Sequence, residues 1–192
     1  MKYRPFILSR DEVFALEENT LSQSRRAIKL NGFGISEYQD YDWRFLPDNS
    51  WCYKNCRNLT LIEKYCSYGS PGDKLWVKET LVRGKQRAYY ASDLMPTLRL
   101  WPWPDKHTMP PASIPRRFSR YTLEITNIRV ERIGNITLND IQAEGCPEQL
   151  LDKYPSPEAW FIAKWDKRNT EWQYTWEQNP YVWVLEFKRV VS

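Results

Sequence analysis

Ser70-Pro71-Gly72-Asp73-Lys74-Leu75-Trp76-Val77-Lys78-Glu79-Thr80 runs from a turn signal straight into a strand. Pro71 presets φ for the turn and Gly72 supplies the positive φ that follows it. Beyond Asp73 the chain alternates, so Leu75, Val77 and Glu79 share one face while Lys74, Trp76, Lys78 and Thr80 share the other. Glu79 therefore follows the apolar side, where an unpaired carboxylate is costly. It must reach the rim of a cleft or find a donor such as Arg25 or Arg120, which makes it a candidate binding residue.

Two more strands accompany this one. From Tyr121 to Ile133 the chain places Tyr121, Leu123 and Ile125 on one face, and Ile128 and Val130 then change parity, so a β-bulge is expected near Thr126-Asn127. Pro180 to Phe187 is apolar on both sides until Glu186, the pattern of a strand inside a sheet. Three helices are signalled by their caps. Ser9 and Glu12 form a capping box for a helix over about 10–18, and Thr137 with Asp140 starts a second that Gly145 stops. Ser156-Pro157 opens the third, which carries Trp160, Phe161 and Trp165. Leu138, Ile141 and Glu144 lie three apart, so Glu144 extends a buried stripe, as Glu79 does.

Between these elements lie two long aromatic-rich insertions, at about 31–69 and 83–117, within one domain spanning 1–192. The second holds Trp101-Pro102-Trp103-Pro104 and Pro110-Pro111, a proline density that excludes a long helix. Lys plus Arg exceeds Asp plus Glu by 28 to 24, which permits an anionic partner without the excess of a DNA-coating protein. With only a brief apolar run at the N-terminus and no segment approaching a membrane span, the chain is expected in the cytoplasm, and no membrane partner is expected. Its four cysteines then read as thiols or metal ligands. Cys52, Cys56 and Cys66, with Cys146 or His107 as a fourth, are a loose match to a structural zinc site, lacking paired Cys-x2-Cys knuckles. Beyond that candidate zinc, no required cofactor is implied.

Thr20-Leu21-Ser22-Gln23-Ser24-Arg25-Arg26 is rich in hydroxyls and closes on two arginines, a set able to donate to phosphate or to a base edge, or else a solvated loop. Nucleotide binding asks for phosphate donors, an aromatic face and a polar group for the base edge. Arg25, Arg26, Arg116 and Arg117 are candidates for the first; Trp76, Trp101 and Trp103 for the second; Ser22, Glu79 and Glu144 for the third. Trp76 also suits ordinary core packing.

The order of these pieces resembles the ASCH-domain family, above all its members encoded by tailed phages and prophages. The resemblance covers the whole chain and is carried by Arg4-Pro5-Phe6-Ile7-Leu8-Ser9, the Tyr68–Thr80 block, Ser119-Arg120-Tyr121-Thr122-Leu123-Glu124-Ile125, Ala143-Glu144-Gly145 and Asn179-Pro180-Tyr181-Val182-Trp183. It implies an α+β fold with a PUA-like β-barrel of about five to six mostly antiparallel strands, short peripheral helices, and a cleft for RNA, a nucleotide or a modified nucleoside in a bacterial host. Some small relatives hydrolyse the acetyl amide of N4-acetylcytidine with a Lys, a Thr and a Glu. Ser24 matches that Thr and Glu144 that Glu, but Leu21 stands where the Lys belongs. An amidohydrolase would need another cation, Lys78 or Lys29, to restore the charge. A third expectation is a phage protein that holds a host protein through its aromatic loops.

Overall fold

The computed structural model describes residues 1–29, 66–85, 87–92, 96, 100–149 and 153–190 in full, and the backbone of 42–45, 51–54 and 60–61. In chain order the strands are β1 (Tyr3–Ile7), β2 (Gln23–Ala27), β3 (Asp42–Phe45), β4 (Trp51–Lys54), β5 (Thr60–Leu61), β6 (Lys74–Lys78), β7 (Leu81–Arg83), β8 (Ala88–Tyr90), β9 (Thr108–Met109), β10 (Thr122–Arg132) and β11 (Tyr181–Val190). The helices are α1 (Arg10–Glu17), α2 (Leu138–Ala143) and α3 (Pro157–Arg168).

The turn before β6 forms as its residues dictate. Asp73 N–H donates to Ser70 C=O at 3.0 Å and Gly72 takes φ +88°. The strand it launches lies between β1 and β10 in a five-stranded mixed sheet of order β1-β6-β10-β11-β2. Within that sheet only the β1–β6 pair is parallel. The α+β class agrees with the sequence, but among the described residues no backbone pairing joins the edge strands β1 and β2, so the sheet is open. A side chain spans those edges instead: Arg26 of β2 donates to Ile7 C=O at the end of β1 at 3.0 Å, its guanidinium 4.5 Å from the Phe6 ring centroid.

Alternation along the strands builds two cores. Phe6, Leu75, Val77, Leu123, Ile125 and Leu185 form one, closed over by Val13 and Leu16 of α1. Val182 and Val184 face the other way, against Ile141 of α2 and Phe161 and Trp165 of α3. The register of β10 shifts between Ile125 and Asn127, which keeps Ile125 and Ile128 in the same core, as a bulge must. Both expected capping boxes are present, Ser9 with Glu12 and Thr137 with Asp140, and the Ser156 side chain caps α3. The Pro-rich insertion yields only 3-10 turns among its described residues, Pro111–Ser113 and Arg116–Phe118, beside the small sheet β8-β7-β9 and its cluster of Leu81, Met109 and Phe118.

One segment departs from expectation. Gln23–Ala27, which the sequence presents as a donor-bearing stretch or a solvated loop, is a strand paired along β11, with Gln23, Ser24, Arg25 and Arg26 all buried. Its polar run hides the strand because its charged side chains enter an interior already occupied by ion partners rather than by hydrocarbon.

Gly145 ends α2 at φ +78°, and a Cβ there would lie 2.6 Å from the Ala15 Cβ. Gly72 has a similar φ but open space around it. Gly145→Ala is therefore expected to lower unfolding free energy by more than about 1 kcal/mol and by more than Gly72→Ala does. Urea denaturation of both variants measures the difference, and equal losses would mean that backbone strain, not the α1–α2 approach, sets the cost.

A candidate binding cleft and its charge network

The second face of the sheet is wired by ions. Arg25, whose side chain has no exposure, stands 3.1 Å from Glu131, 3.2 Å from Asp140 and 3.5 Å from Glu144. Arg129 joins Glu131, Asp140 and Glu186 to the same set. At the other end Glu12 of α1, only 2% exposed, accepts from Ser9 N–H at 2.8 Å and from Arg168, with Arg26 at 3.8 Å. Lys164 of α3 connects the two halves. Its Nζ donates to Glu144 C=O at 2.8 Å and lies 3.4 Å from the Glu144 carboxylate and 3.6 Å from that of Glu12.

Helical periodicity explains how α3 serves both a core and this network. Phe161 and Trp165, four apart, enter the core. The offset stripe of Trp160, Ala163, Lys164, Lys167 and Arg168 lines a cleft of about 1000 Å³. Asp11, Phe14, Ala15 and Glu18 form the α1 wall at the same spacing. Glu12 and Glu144 also line it, each 2% exposed and each with one carboxylate oxygen that accepts no hydrogen bond from the described residues. Ile7, Thr80 and Pro111 line it from the sheet and the second insertion, Tyr154 and Lys153 from the segment before α3. The result is an elongated space with aromatic rings, cations on one helix and carboxylates on the other.

Burial alone would raise the Glu12 carboxyl, but Arg26, Lys164 and the Ser9 donors outweigh it and hold it below its usual value. Asp140 follows the same logic: burial opposes ionisation, yet donors from Thr137 and Gln23 and the charge of Arg25 bring it down to about 2. Both carboxylates are thus ionised throughout the neutral range and act as fixed charges.

The candidates named from sequence do not gather in one place. Ser24 and Arg26 lie on the first-core side of β2, where the Ser24 hydroxyl is enclosed with 0% exposure and no hydrogen-bond partner among the described residues. Arg25 and Glu144 face each other on the other side. Ser22 is exposed at the start of β2, its backbone held by Ala143 C=O and Phe187 N–H. Glu79, 4% exposed, is paired with Arg120 at 2.8 Å and accepts from Ser92, the structural role open to it from sequence. Leu21 is buried and bridges backbone to backbone with Glu144, so no cation stands at that position. Lys29 reaches Glu171 at 2.8 Å. Lys78 donates to Ala112 C=O at 2.5 Å, and burial lowers its ammonium pKa. Another place is the outer face of β1 and β6, where Trp76 and Lys78 are joined by Arg116, while the neighbouring Arg117 lies 5.3 Å from the Phe118 ring centroid. Trp101 and Trp103 are in mutual ring contact, centroids 5.2 Å apart, and pack on the cluster around Phe118.

Cys66 is buried in the first core, and desolvation pushes its thiol up to about 11; Cys56 and the side chain of Cys52 lie outside the described residues. Among the described residues no group of three or more His, Cys, Asp or Glu side chains is placed to hold a metal ion, and no helix is long and apolar enough to cross a membrane. Sequence patterning does not single out Glu12, Trp160, Lys164 or Arg168 as site residues. The signals that could have found them are the four-residue spacing of Trp160, Lys164 and Arg168, and a capping-box glutamate whose helix has only eight residues.

The fold and cleft define the class: an α+β protein with a mixed open sheet and a charged, aromatic-walled groove beside two helices. Comparison with protein-family models, with curated proteins and with solved structures finds no match for the chain.

Arg25 neutralises three carboxylates, so Arg25→Met is expected to destabilise the protein by about 3–5 kcal/mol, the usual cost of leaving a buried charge unpaired. Adding Glu144→Gln should recover part of the loss in urea denaturation; no recovery would show that Arg25 acts by packing alone. Asp140, with its pKa lowered from 3.8 to about 2, contributes stability that is complete above about pH 4 and is lost as pH falls through about 2. Asp140→Asn should flatten the acid limb of the stability curve in that window.

Proposed function

We propose that the chain binds RNA or a nucleotide in the cleft between α1 and α3, as an ASCH-type protein of phage or prophage origin whose sheet is a variation on the PUA-like barrel. The observation that carries this reading is the cleft lining. Phe14 and Trp160 supply ring faces, Lys164, Lys167 and Arg168 supply cations, and Glu12 and Glu144 supply acceptors in one space of about 1000 Å³. A base asks for a stacking surface and for acceptors at its amino edge, and a phosphate asks for the cations. Glu144, the residue that the family resemblance points to, is on the cleft wall. Arg26, spanning the two sheet edges, supports the barrel-like reading, since it ties the strands a barrel would pair.

Binding is favoured over amide hydrolysis by the state of Ser24, which is enclosed with no exposure and is not among the residues lining the cleft. Lys164 beside Glu144 is a cation near Leu21, which stands where the family pattern has a Lys, yet its Nζ is engaged by two carboxylates and a carbonyl. A modified cytidine is accordingly read as a ligand rather than as a substrate.

Calorimetry with cytidine, N4-acetylcytidine and the four nucleoside monophosphates tests this. Trp160→Ala is expected to weaken binding roughly tenfold, the worth of one base–aromatic stack, and Lys167→Ala to weaken the monophosphates but not the nucleosides. Absence of heat with every compound at millimolar concentration would remove the cleft as a binding site. Release of cytidine from N4-acetylcytidine, abolished by Ser24→Ala, would replace binding with hydrolysis.

A further inference from the structure

The outer face of β1 and β6 carries a second arrangement that the cleft does not use. The parallel register sets Tyr3 beside Lys74, Pro5 beside Trp76 and Ile7 beside Lys78. The intervening Phe6, Leu75 and Val77 point into the core, so the three pairs share the opposite face. Tyr3 is 42% and Ile7 46% exposed, and Pro5 is exposed between them. These apolar side chains recur at every second position and so form one exposed ridge along an edge strand.

The one carboxylate in register with this face, Glu124, is paired with Lys74 and Lys188, and the exposed cations beside the face are arginines. Arg116, exposed on its 3-10 turn, lays its guanidinium 3.7 Å from the Tyr3 ring centroid, and Arg117 is exposed next to it. Lys78 Nζ lies 5.3 Å from the Trp76 ring centroid. Within the described residues none of these three cations stands in an ion pair with a carboxylate, whereas Lys74 is neutralised by Glu124. From Tyr3 to Ile7 the ridge is about 13 Å long at a strand's rise. Its far end is continuous with the cleft, because Ile7 also lines that space.

We infer that this face is a stacking platform for single-stranded RNA, which crosses β1 and β6 before one of its nucleotides enters the cleft. The inference rests on the cleft reading for the identity of the polymer and adds that the ligand is a chain rather than a free nucleotide. Tyr3 with the exposed Arg116 over it is a ring-plus-cation unit, and Trp76 is a second ring on the same face, its neighbour Lys78 being buried and bonded to Ala112 C=O; rings beside exposed cations are the combination by which sheet surfaces hold unpaired bases and adjacent phosphates. A polyanion finds two exposed arginines, neither of them in an ion pair among the described residues, beside rings that a base can stack on.

Fluorescence anisotropy with a labelled eight-nucleotide single-stranded RNA, set beside calorimetry with a mononucleotide, tests the inference. The oligomer is expected to bind at least about tenfold tighter than the mononucleotide. The double variant Arg116→Ala/Arg117→Ala should erase most of that gain and reduce the salt slope by about 1.4, roughly 0.7 for each phosphate that an arginine neutralises, while the mononucleotide affinity stays as in the wild type. Both arginines are exposed, so an unchanged melting temperature of the variant serves as the folding control. Equal affinity for oligomer and mononucleotide, or an oligomer affinity indifferent to the double variant, overturns the platform. An oligomer affinity that depends on Arg116 and Arg117 but not on Trp160 leaves the platform standing and removes the cleft instead.

Discussion

Arg25 is the interaction on which the rest of the structure depends. A guanidinium with no solvent exposure is tolerable only if its charge is matched on the spot, and here three carboxylates supply the match: Glu131 from β10, Asp140 from α2 and Glu144 from the end of α2. Each constraint fixes a backbone. Glu131 sets the register of β10 against β2 across the intervening β11, and the two α2 carboxylates hold that short helix down on the sheet. A six-residue helix has little stability of its own, so its position is decided by these ion pairs and by Ile141 in the core.

The cleft is a consequence of that arrangement rather than a separate device. Once Arg25 fixes Glu144, Lys164 has a partner whose position is set, and Lys164 in turn fixes the rotation of α3. Rotation decides which stripe of α3 faces α1, and so brings Trp160, Lys167 and Arg168 to the groove while Phe161 and Trp165 fill the core. Glu12 performs the same service from α1, gathering Arg26, Lys164 and Arg168. Charges held by fixed partners need little reorganisation to meet a polar ligand, the property that the proposed binding would draw on.

What the sequence reveals follows from how local each signal is. The turn at Pro71-Gly72, the bulge at Thr126-Asn127, both capping boxes and the burial of Glu144 are written in runs of a few residues, and the structure contains them all. Strand β2 is hidden because Gln-Ser-Arg-Arg carries no apolar alternation; its burial depends on partners more than a hundred residues away. Glu12 reads as a cap and is one, but its carboxylate also serves Lys164 and Arg26, a fact that only the packing of α1 against α3 creates. Glu79 reads as a site residue and sits in a pair with Arg120, which period-two patterning cannot distinguish from a cleft position. Residue type assigns Trp76, Lys78 and Arg116 to one cleft, whereas the β1–β6 register sets Trp76 and Lys78 on a different face, where Arg116 meets Tyr3.

Strand β1 connects these two surfaces, and its composition shows how. Phe6 and the following Leu8 are core residues, and Tyr3 and Pro5 belong to the outer ridge. Ile7 contributes side chain to both ridge and cleft while its carbonyl accepts the Arg26 bond that spans the sheet edges. Leu8 N–H donates to Lys78 C=O, extending the β1–β6 pairing one residue toward the cleft. A ligand that shifts β1 along β6 by even a fraction of an ångström must therefore disturb the Arg26–Ile7 bond and, through Arg26, the environment of Glu12. The parallel pair thus holds both surfaces on one strand, and Arg26 is the side chain through which the end of that strand meets the charges around Glu12.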